Sequence, residues 1–381
     1  MCPSIPGSAV SKRDKPIGAA RTEQRLNEKA SDEGYLPGIP DDMALHILAC
    51  LSRSDYPILA CLNNKYKSLI GSELLYKLRR QIGIVEQWIY LACIVMPWEA
   101  FDPKTRRWKR LPRIPCDECF TYADKESLAV GTELLVFGRE LPGLVAWKYS
   151  LLSHEWTRNS PMNSPRCLFG SSSHKEIAVV AGGSDKEGNI LNAAELYNSE
   201  LGAWQVLANL NRARKLCSGF FMDNKFHVIG GMTASKESLN CGEVYDMARD
   251  EWTVIENMHP SPAPQGTEQA MRAPPLVAVV NNELYCADLA TNMVKKYNRV
   301  ENTWSEVKRL PLRADAANGW GVGFRGCGGR LLVIGGHGGC HGEMVVMHSW
   351  EPDSVDQNEW TVLAVRVGAG AFVYNCAVMG C

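Results

Sequence analysis

The sequence predicts an all-β, six-bladed β-propeller preceded by a small α-helical domain, and three patterns carry that reading. First, an aromatic residue is followed seven positions later by a tryptophan at Phe101/Trp108, Tyr149/Trp156, Tyr197/Trp204, Tyr245/Trp252 and Tyr297/Trp304. These tryptophans stand 48, 48, 48 and 52 positions apart, and Trp360, with Trp350 as its looser aromatic, lies 56 further on. A period near 50 marks a ring or stack of equal units, none able to bury its apolar face alone. Second, β-branched runs end in paired glycines: Ile177-Ala178-Val179-Val180-Ala181-Gly182-Gly183, Phe226-His227-Val228-Ile229-Gly230-Gly231 and Leu331-Leu332-Val333-Ile334-Gly335-Gly336. Each run reads as the opening, inner strand of a unit, and the glycines allow a sharp turn where a Cβ would clash. Third, residues 36–82 carry a helical apolar period that gives way to this grammar at Trp88.

Residues 1–34 mix charged and small residues without a sustained period and read as a disordered leader. Its Lys12-Arg13-Asp14-Lys15 run is either a solvated tail or a nuclear address. Residues 35–82 form the helical domain. Leu36-Pro37-Gly38-Ile39-Pro40 is an apolar entry strap, and Asp41 or Asp42 is expected to cap a first helix carrying Leu45, Leu48 and Leu51, with Ile47 widening the stripe. Ser54 or Asp55 caps a second before Pro57, with Leu59, Leu62, Tyr66 and Leu69 on one side. Ser72 opens a third, with Leu74, Leu75, Leu78 and Ile82. Fewer than about 50 residues hold too little core to be independent. The second apolar face is therefore a docking surface, or else the module is a cap that plugs the propeller.

The propeller spans 88–381. Its first unit supplies only three strands, near 88–95, 99–102 and 108–111, and lacks an innermost one. Residues 372–378, Phe-Val-Tyr-Asn-Cys-Ala-Val, form a spare strand with no unit of their own. Placing that strand innermost in the first blade pairs both orphan edges and gives six blades, since closure removes exposed edges. The second unit, Phe137-Gly138-Arg139-Glu140, and the fifth, Leu284-Tyr285-Cys286-Ala287-Asp288, lack the diglycine and are expected to be irregular.

Charge is balanced, 41 Lys plus Arg against 42 Asp plus Glu, which gives no general attraction to nucleic acid or to acidic membranes. The 14 cysteines are too sparse for a disulfide scaffold, and many lie in apolar runs, as do Cys50, Cys61, Cys93 and Cys376. With neither a secretory-type apolar segment nor a run long enough to span a bilayer, the expectation is a soluble protein of a reducing compartment, cytoplasm and/or nucleus.

Both regions resemble a plant-type F-box/kelch-repeat protein of the SKP1-interacting branch. The F-box resemblance rests on Leu36-Pro37-Gly38-Ile39-Pro40-Asp41-Asp42, Ile47-Leu48-Ala49-Cys50-Leu51 and Cys61-Leu62-Asn63-Asn64-Lys65-Tyr66-Lys67-Ser68-Leu69-Ile70, with Tyr66 where the family usually has tryptophan. It implies a non-catalytic adaptor that joins a SKP1-like protein, and through it a cullin and a RING protein, to an unidentified target. The resemblance implies that Leu36, Pro37, Ile39, Pro40, Leu48, Leu51 and Leu62 form or support the SKP1 surface. For the target, it points to the connections between blades, where Arg166, Arg214 and Arg313 are expected to form a basic rim for carboxylates or phosphates. The competing role for each arginine is to brace neighbouring carbonyls or acidic side chains. The Pro-rich loop 259–273 is either an overhang on one face or a plain insertion.

No cofactor or metal is implied. Cys116-Asp117-Glu118-Cys119 has no second pair at zinc spacing, and His337, Cys340, His341 and His348 sit largely in a Gly-rich turn. Gly335-Gly336-His337-Gly338-Gly339 lacks the Lys-Ser/Thr ending and helix of a phosphate loop. A plain kelch scaffold, or a kelch metalloenzyme with converging His, Tyr or acidic ligands, are the alternatives.

Overall fold

The computed structural model describes residues 34–93, 97–260, 273–312, 319–339, 342–354 and 359–381. The chain divides into two units between Leu78 and Arg79.

In the first unit the strap is a tight turn. The Ile39 N–H donates to Leu36 O at 3.2 Å, and Gly38, at φ 71°, takes the left-handed position that such a turn reserves for glycine. Helix α1 (Asp41–Ala49) starts after Pro40 with no side-chain cap. Asp41 faces back instead and accepts the Tyr35 N–H at 2.7 Å, so the expected Asp41/Asp42 cap is corrected. A short 3-10 turn (Arg53–Asp55) is capped by Ser52, not by Ser54 or Asp55, and leads into α2 (Tyr56–Ala60) with Pro57 in its first turn. The single second helix expected from sequence is two helices. Asn63 leaves the helical conformation and its Oδ1 accepts the Tyr66 N–H at 2.8 Å, starting α3 (Asn64–Ile70). Helix α4 spans Leu74–Gln81.

The second unit is a six-bladed propeller of four-stranded antiparallel sheets. Blade 1 is ordered, from the inside out, Val373–Gly380, Gln87–Cys93, Glu99–Asp102 and Arg107–Arg110. The strand from the far end of the chain thus lies innermost, in register from Gln87↔Gly380 to Cys93↔Val373. The other innermost strands are Glu126–Val130, Gly170–His174, Ser218–Met222, Val277–Val280 and Gly323–Cys327, and each touches the innermost strands on both sides around a full ring. The ring is therefore closed by packing between neighbouring innermost strands, with every sheet complete at four strands.

The β-branched runs turn out to be second strands, not the opening innermost ones. Ile177–Ala181 and Lys225–Ile229 pair outward from Gly170–His174 and Ser218–Met222. The innermost strands are more varied in composition, from Gly170–His174 with one glycine and three serines to Val277–Val280 with neither.

The seven-residue offset has a direct geometric cause. Phe101↔Trp108, Tyr149↔Trp156, Tyr197↔Trp204, Tyr245↔Trp252 and Tyr297↔Trp304 are opposite partners across the hairpin of the two outer strands, with ring centroids 4.8–5.3 Å apart. Such cross-strand aromatic pairs hold the outer hairpins together. Each indole N–H from blade 2 onward then donates backward to the main chain that precedes its blade: Trp156 to Pro112 O, Trp204 to Ser160 O, Trp252 to Ala208 O, Trp304 to Met258 O and Trp360 to Arg309 O, at 2.8–3.0 Å. The tryptophan therefore fills the gap between blades and latches them with the same side chain.

Candidate docking surfaces

Two stripes run along α1. Ala44 and Leu48 are buried, whereas Met43 and Ile47 stand 57% and 45% exposed. Ile58 on α2 and Leu62 just beyond it are 67% and 65% exposed. Four large aliphatics exposed on so small a unit make these helices its candidate docking face. Of the residues expected there, Pro37, Pro40 and Leu62 are exposed, Leu36, Ile39 and Leu51 half-buried, and Leu48 buried beneath. Met43, Ile47 and Ile58, also exposed, are not among the residues expected there. The signal was the i, i+4 stripe of Met43 and Ile47, offset by one residue from the buried one. Tyr66 does more than keep an aromatic body in place of tryptophan. Its hydroxyl donates to Tyr35 O, tying α3 to the residue before the strap, and its ring lies 6.4 Å from that of Tyr35.

On the propeller, Arg166 and Arg214 do not form a basic rim. Both side chains are fully buried. Arg166 Nη2 meets Glu195 Oε1 at 2.6 Å, its Nη1 donates to Gly182 O and Ala193 O, and its Nε donates to Ser164 O. One repeat later Arg214 makes the same set with Glu243, Gly230 O, Cys241 O and Arg212 O. The two glutamates also accept main-chain and side-chain donors from Asn163 and Ser164, and from Asn211 and Arg212. Every nitrogen of each guanidinium group is thus hydrogen-bonded inside the fold, and the bracing role replaces the rim. Arg313 and residues 261–272 of the Pro-rich loop lie outside the described residues.

The diglycines belong to this strut. Gly183 and Gly231 sit at φ 98° and 96°, and a Cβ on Gly183 would stand 2.6 Å from Cys167 O. The glutamate two places before the aromatic recurs in blade 1 as Glu99, there held by Arg366 from blade 6 at 2.7 and 2.9 Å across the ring's join. Blade 5 reverses the sign, with Lys295 at that place 2.7 Å from buried Asp288. Blade 2 has Trp147 there, donating to Glu140 at 3.0 Å, and its lone Gly138 receives the Phe120 ring. Phe120 comes from a short helix, α5 (Glu118–Tyr122), which lies outside the repeats. Asp117 caps it by accepting the Phe120 N–H at 2.8 Å and also accepts the Leu141 N–H, and those two bonds hold its carboxyl below the ordinary aspartate value. Cys116-Asp117-Glu118-Cys119 is therefore a helix start.

The connection from blade 2 to blade 3 carries a titrating group. Leu168, at φ 58°, turns its N–H onto the Glu126 carboxylate while its carbonyl accepts the Leu216 N–H at 2.8 Å. Burial, with Asp124 adding to it, pushes Glu126 up to about 7 against the Leu168 bond. Its folded value thus lies above the ordinary one near 4.5, so the folded state binds more protons in between and stability falls as pH rises from about 4.5 to 7. Glu126→Gln is expected to remove that fall, gaining on the wild type at pH values above 7; urea titrations across pH measure it.

Among the described residues no three His, Cys, Asp or Glu are grouped to hold a metal. Cys340 and His341 lie outside them, and His348 pairs in register with Val333. His227 is stacked on Phe220 at 5.0 Å, and burial holds it near 4, neutral at physiological pH. No helix among the described residues is long and apolar enough to cross a membrane.

The profile of the F-box domain matches residues 36–78, and that of the Kelch motif matches 165–211 and 213–259, the two repeats with the complete strut. From Arabidopsis thaliana, F-box/kelch-repeat protein At1g26930 is 49% identical over 367 residues, covering 94% of this chain and 87% of its own length. The chain belongs to the F-box/kelch-repeat family. F-box/kelch-repeat protein SKIP11 is 48% identical over 97% of this chain and 82% of its own length, and At1g74510 is 49% identical over 88% and 77%. Within the F-box span lie Met43, Ile47, Ile58 and Leu62, the exposed apolar cluster, so the family assignment and the surface chemistry point at the same helices.

Proposed function

We propose that this F-box/kelch-repeat protein is the substrate-recognition subunit of a SKP1–cullin–F-box ubiquitin ligase. The reading rests on one observation, an exposed apolar face within the F-box match. A SKP1-like protein covers Met43, Ile47, Ile58 and Leu62, with the Leu36–Pro40 strap beside them and Leu48 supporting from beneath. The propeller holds the target, and the chain contributes position rather than chemistry. Confining target lysines near a charged ubiquitin carrier replaces a bimolecular encounter with a tethered one, at effective concentrations up to the millimolar range. A closed ring suits this, since its connections carry recognition without deforming the sheets.

The test is co-purification and titration with a SKP1-like protein. The double variant Ile47→Lys, Leu62→Lys is expected to lose about 100-fold or more in affinity, because each change buries a charge in place of an anchor. Both side chains are exposed, so folding is expected to be unaffected. A wild-type chain that never binds a SKP1-like protein would refute the reading and leave a kelch scaffold.

A further inference from the structure

Blade 1 carries its charge differently from the other five. Residues 104–113, around Trp108, hold six cations and no acid: Lys104, Arg106, Arg107, Lys109, Arg110 and Arg113. The matching ten residues around each of the other repeat tryptophans hold two cations at most, and the whole chain nets -1. All six residues are exposed. Cations on an open strand edge guard against edge-to-edge aggregation, but a general guard would charge the outer strands of all the blades alike. Concentrated on one blade, they make a local field that draws anions to it. Neutralisation within the fold is slight. Arg110 reaches Glu99 at 3.3 Å yet its side chain stays 74% exposed, and Arg366 already holds the same carboxylate. Among the described residues no ion pair engages Arg106, Arg107 or Arg113.

The backbone gives this charge a direction. Blade 1 ends at Arg107–Arg110, so the far side of that strand is an open edge. The strand pairs with Glu99–Asp102, and the Leu111 N–H donates inward to Trp98 O. By the alternation of an antiparallel ladder, the main-chain N–H and C=O groups of Trp108 and Arg110 then point outward. Side chains alternate as well, with Arg107 and Lys109 on one face and Arg110 on the other. An extended segment laid along this edge therefore meets main-chain donors and acceptors with cations on both sides. Those charges repel a second copy of the same strand and favour one rich in carboxylates. The stripe is also narrow, because the outer strands of the flanking blades, Trp156–Arg158 and Thr361–Val367, bring one arginine each. One strand's width fits a single acidic chain, whereas a nucleic-acid duplex spreads its phosphates over two strands.

We propose that the outer strand of blade 1 receives an extended, Asp- and Glu-rich segment of a partner protein as a fifth strand. The proposal goes beyond the ligase reading and does not depend on it. The test follows the fluorescence anisotropy of a labelled short peptide of alternating glutamate and threonine titrated with the full chain. The wild type is expected to bind it, more weakly as salt is raised. The variant Arg106→Glu, Arg107→Glu, Arg113→Glu is expected to lose at least ~10-fold in affinity. A control with the same change in net charge at exposed sites on other blades, Lys186→Glu, Lys236→Glu, Arg249→Glu, stays within about twofold of the wild type. The same peptide with its main-chain amides N-methylated loses at least ~10-fold, which a purely ionic contact would not. Should the Glu variant fail to fold, Arg106→Gln, Arg107→Gln, Arg113→Gln makes the same comparison with a loss of about threefold. A wild type that ignores the peptide at low salt, equal losses in stripe and control variants, or undiminished binding of the methylated peptide would each overturn the proposal. So would an oligothymidylate of equal length that binds more tightly than the peptide, by making the stripe a nucleic-acid surface. Capture of a SKP1-like protein stays unchanged in every variant, and its failure in the wild type would strike the ligase reading alone.

Discussion

Arg214→Ala is expected to cost about 3–5 kcal/mol of unfolding free energy, because it leaves the Glu243 carboxylate buried without its cation. Both side chains are shut off from solvent, and Glu243 also organises the main chain at Asn211 and Arg212. The carboxylate cannot move into water without breaking that connection. Glu243→Ala should cost a similar amount, since the guanidinium group is then the stranded charge. The double replacement Arg214→Met, Glu243→Leu is expected to cost far less than the sum, as buried ion pairs often exchange for apolar pairs of similar volume nearly without loss. Urea unfolding followed by tryptophan fluorescence gives all three values. An Arg214→Ala protein with wild-type stability would return the arginine to a recognition role.

Deleting residues 373–381 is expected to abolish cooperative folding of the propeller altogether. The loss removes the inner partner of Gln87–Cys93 along its whole length and uncovers Ile89 and Phe101, both otherwise buried. It also takes away the contacts of the innermost strands on either side, so the ring opens at two places. The expected signature is loss of near-ultraviolet circular dichroism with rapid proteolysis, while far-ultraviolet strand signal persists in part. A synthetic peptide of the deleted residues should restore some of the fold by adding itself to the open edge. A truncated chain that melts as sharply as the full one would contradict the observed closure.

Much of this architecture could be read from the residues because hairpin geometry converts contact into spacing. Tyr197 and Trp204 touch because a short loop between paired strands brings them opposite, so seven positions in sequence are one contact in space. The spare strand was legible for the same reason in reverse, as a unit short of a strand and a strand short of a unit. The rim was misread because arginine on a loop looks solvent-directed until its partner is found. That partner, Glu195 for Arg166 and Glu243 for Arg214, lies 29 positions on in both repeats. The recurring interval was the available signal. Asn63 split a helix because a side-chain cap outweighs the apolar stripe on both sides of it, a contest that periodicity does not register. The short helix at Glu118–Tyr122 fell between repeats, and only the capped turn at Asp117 announces it.

The backward reach of the indoles has a bearing on how the protein is made. As each tryptophan leaves the ribosome, the carbonyl it will hold has already been synthesised, some 44–51 residues earlier. Blades 2 to 6 can therefore be fastened one after another in the order of translation, growing as an arc. Blade 1 alone must wait, half-built, through the whole of that growth for Val373–Gly380. For that interval the nascent chain exposes an open flank, so any delay in translating its last turn should make it a client for chaperones.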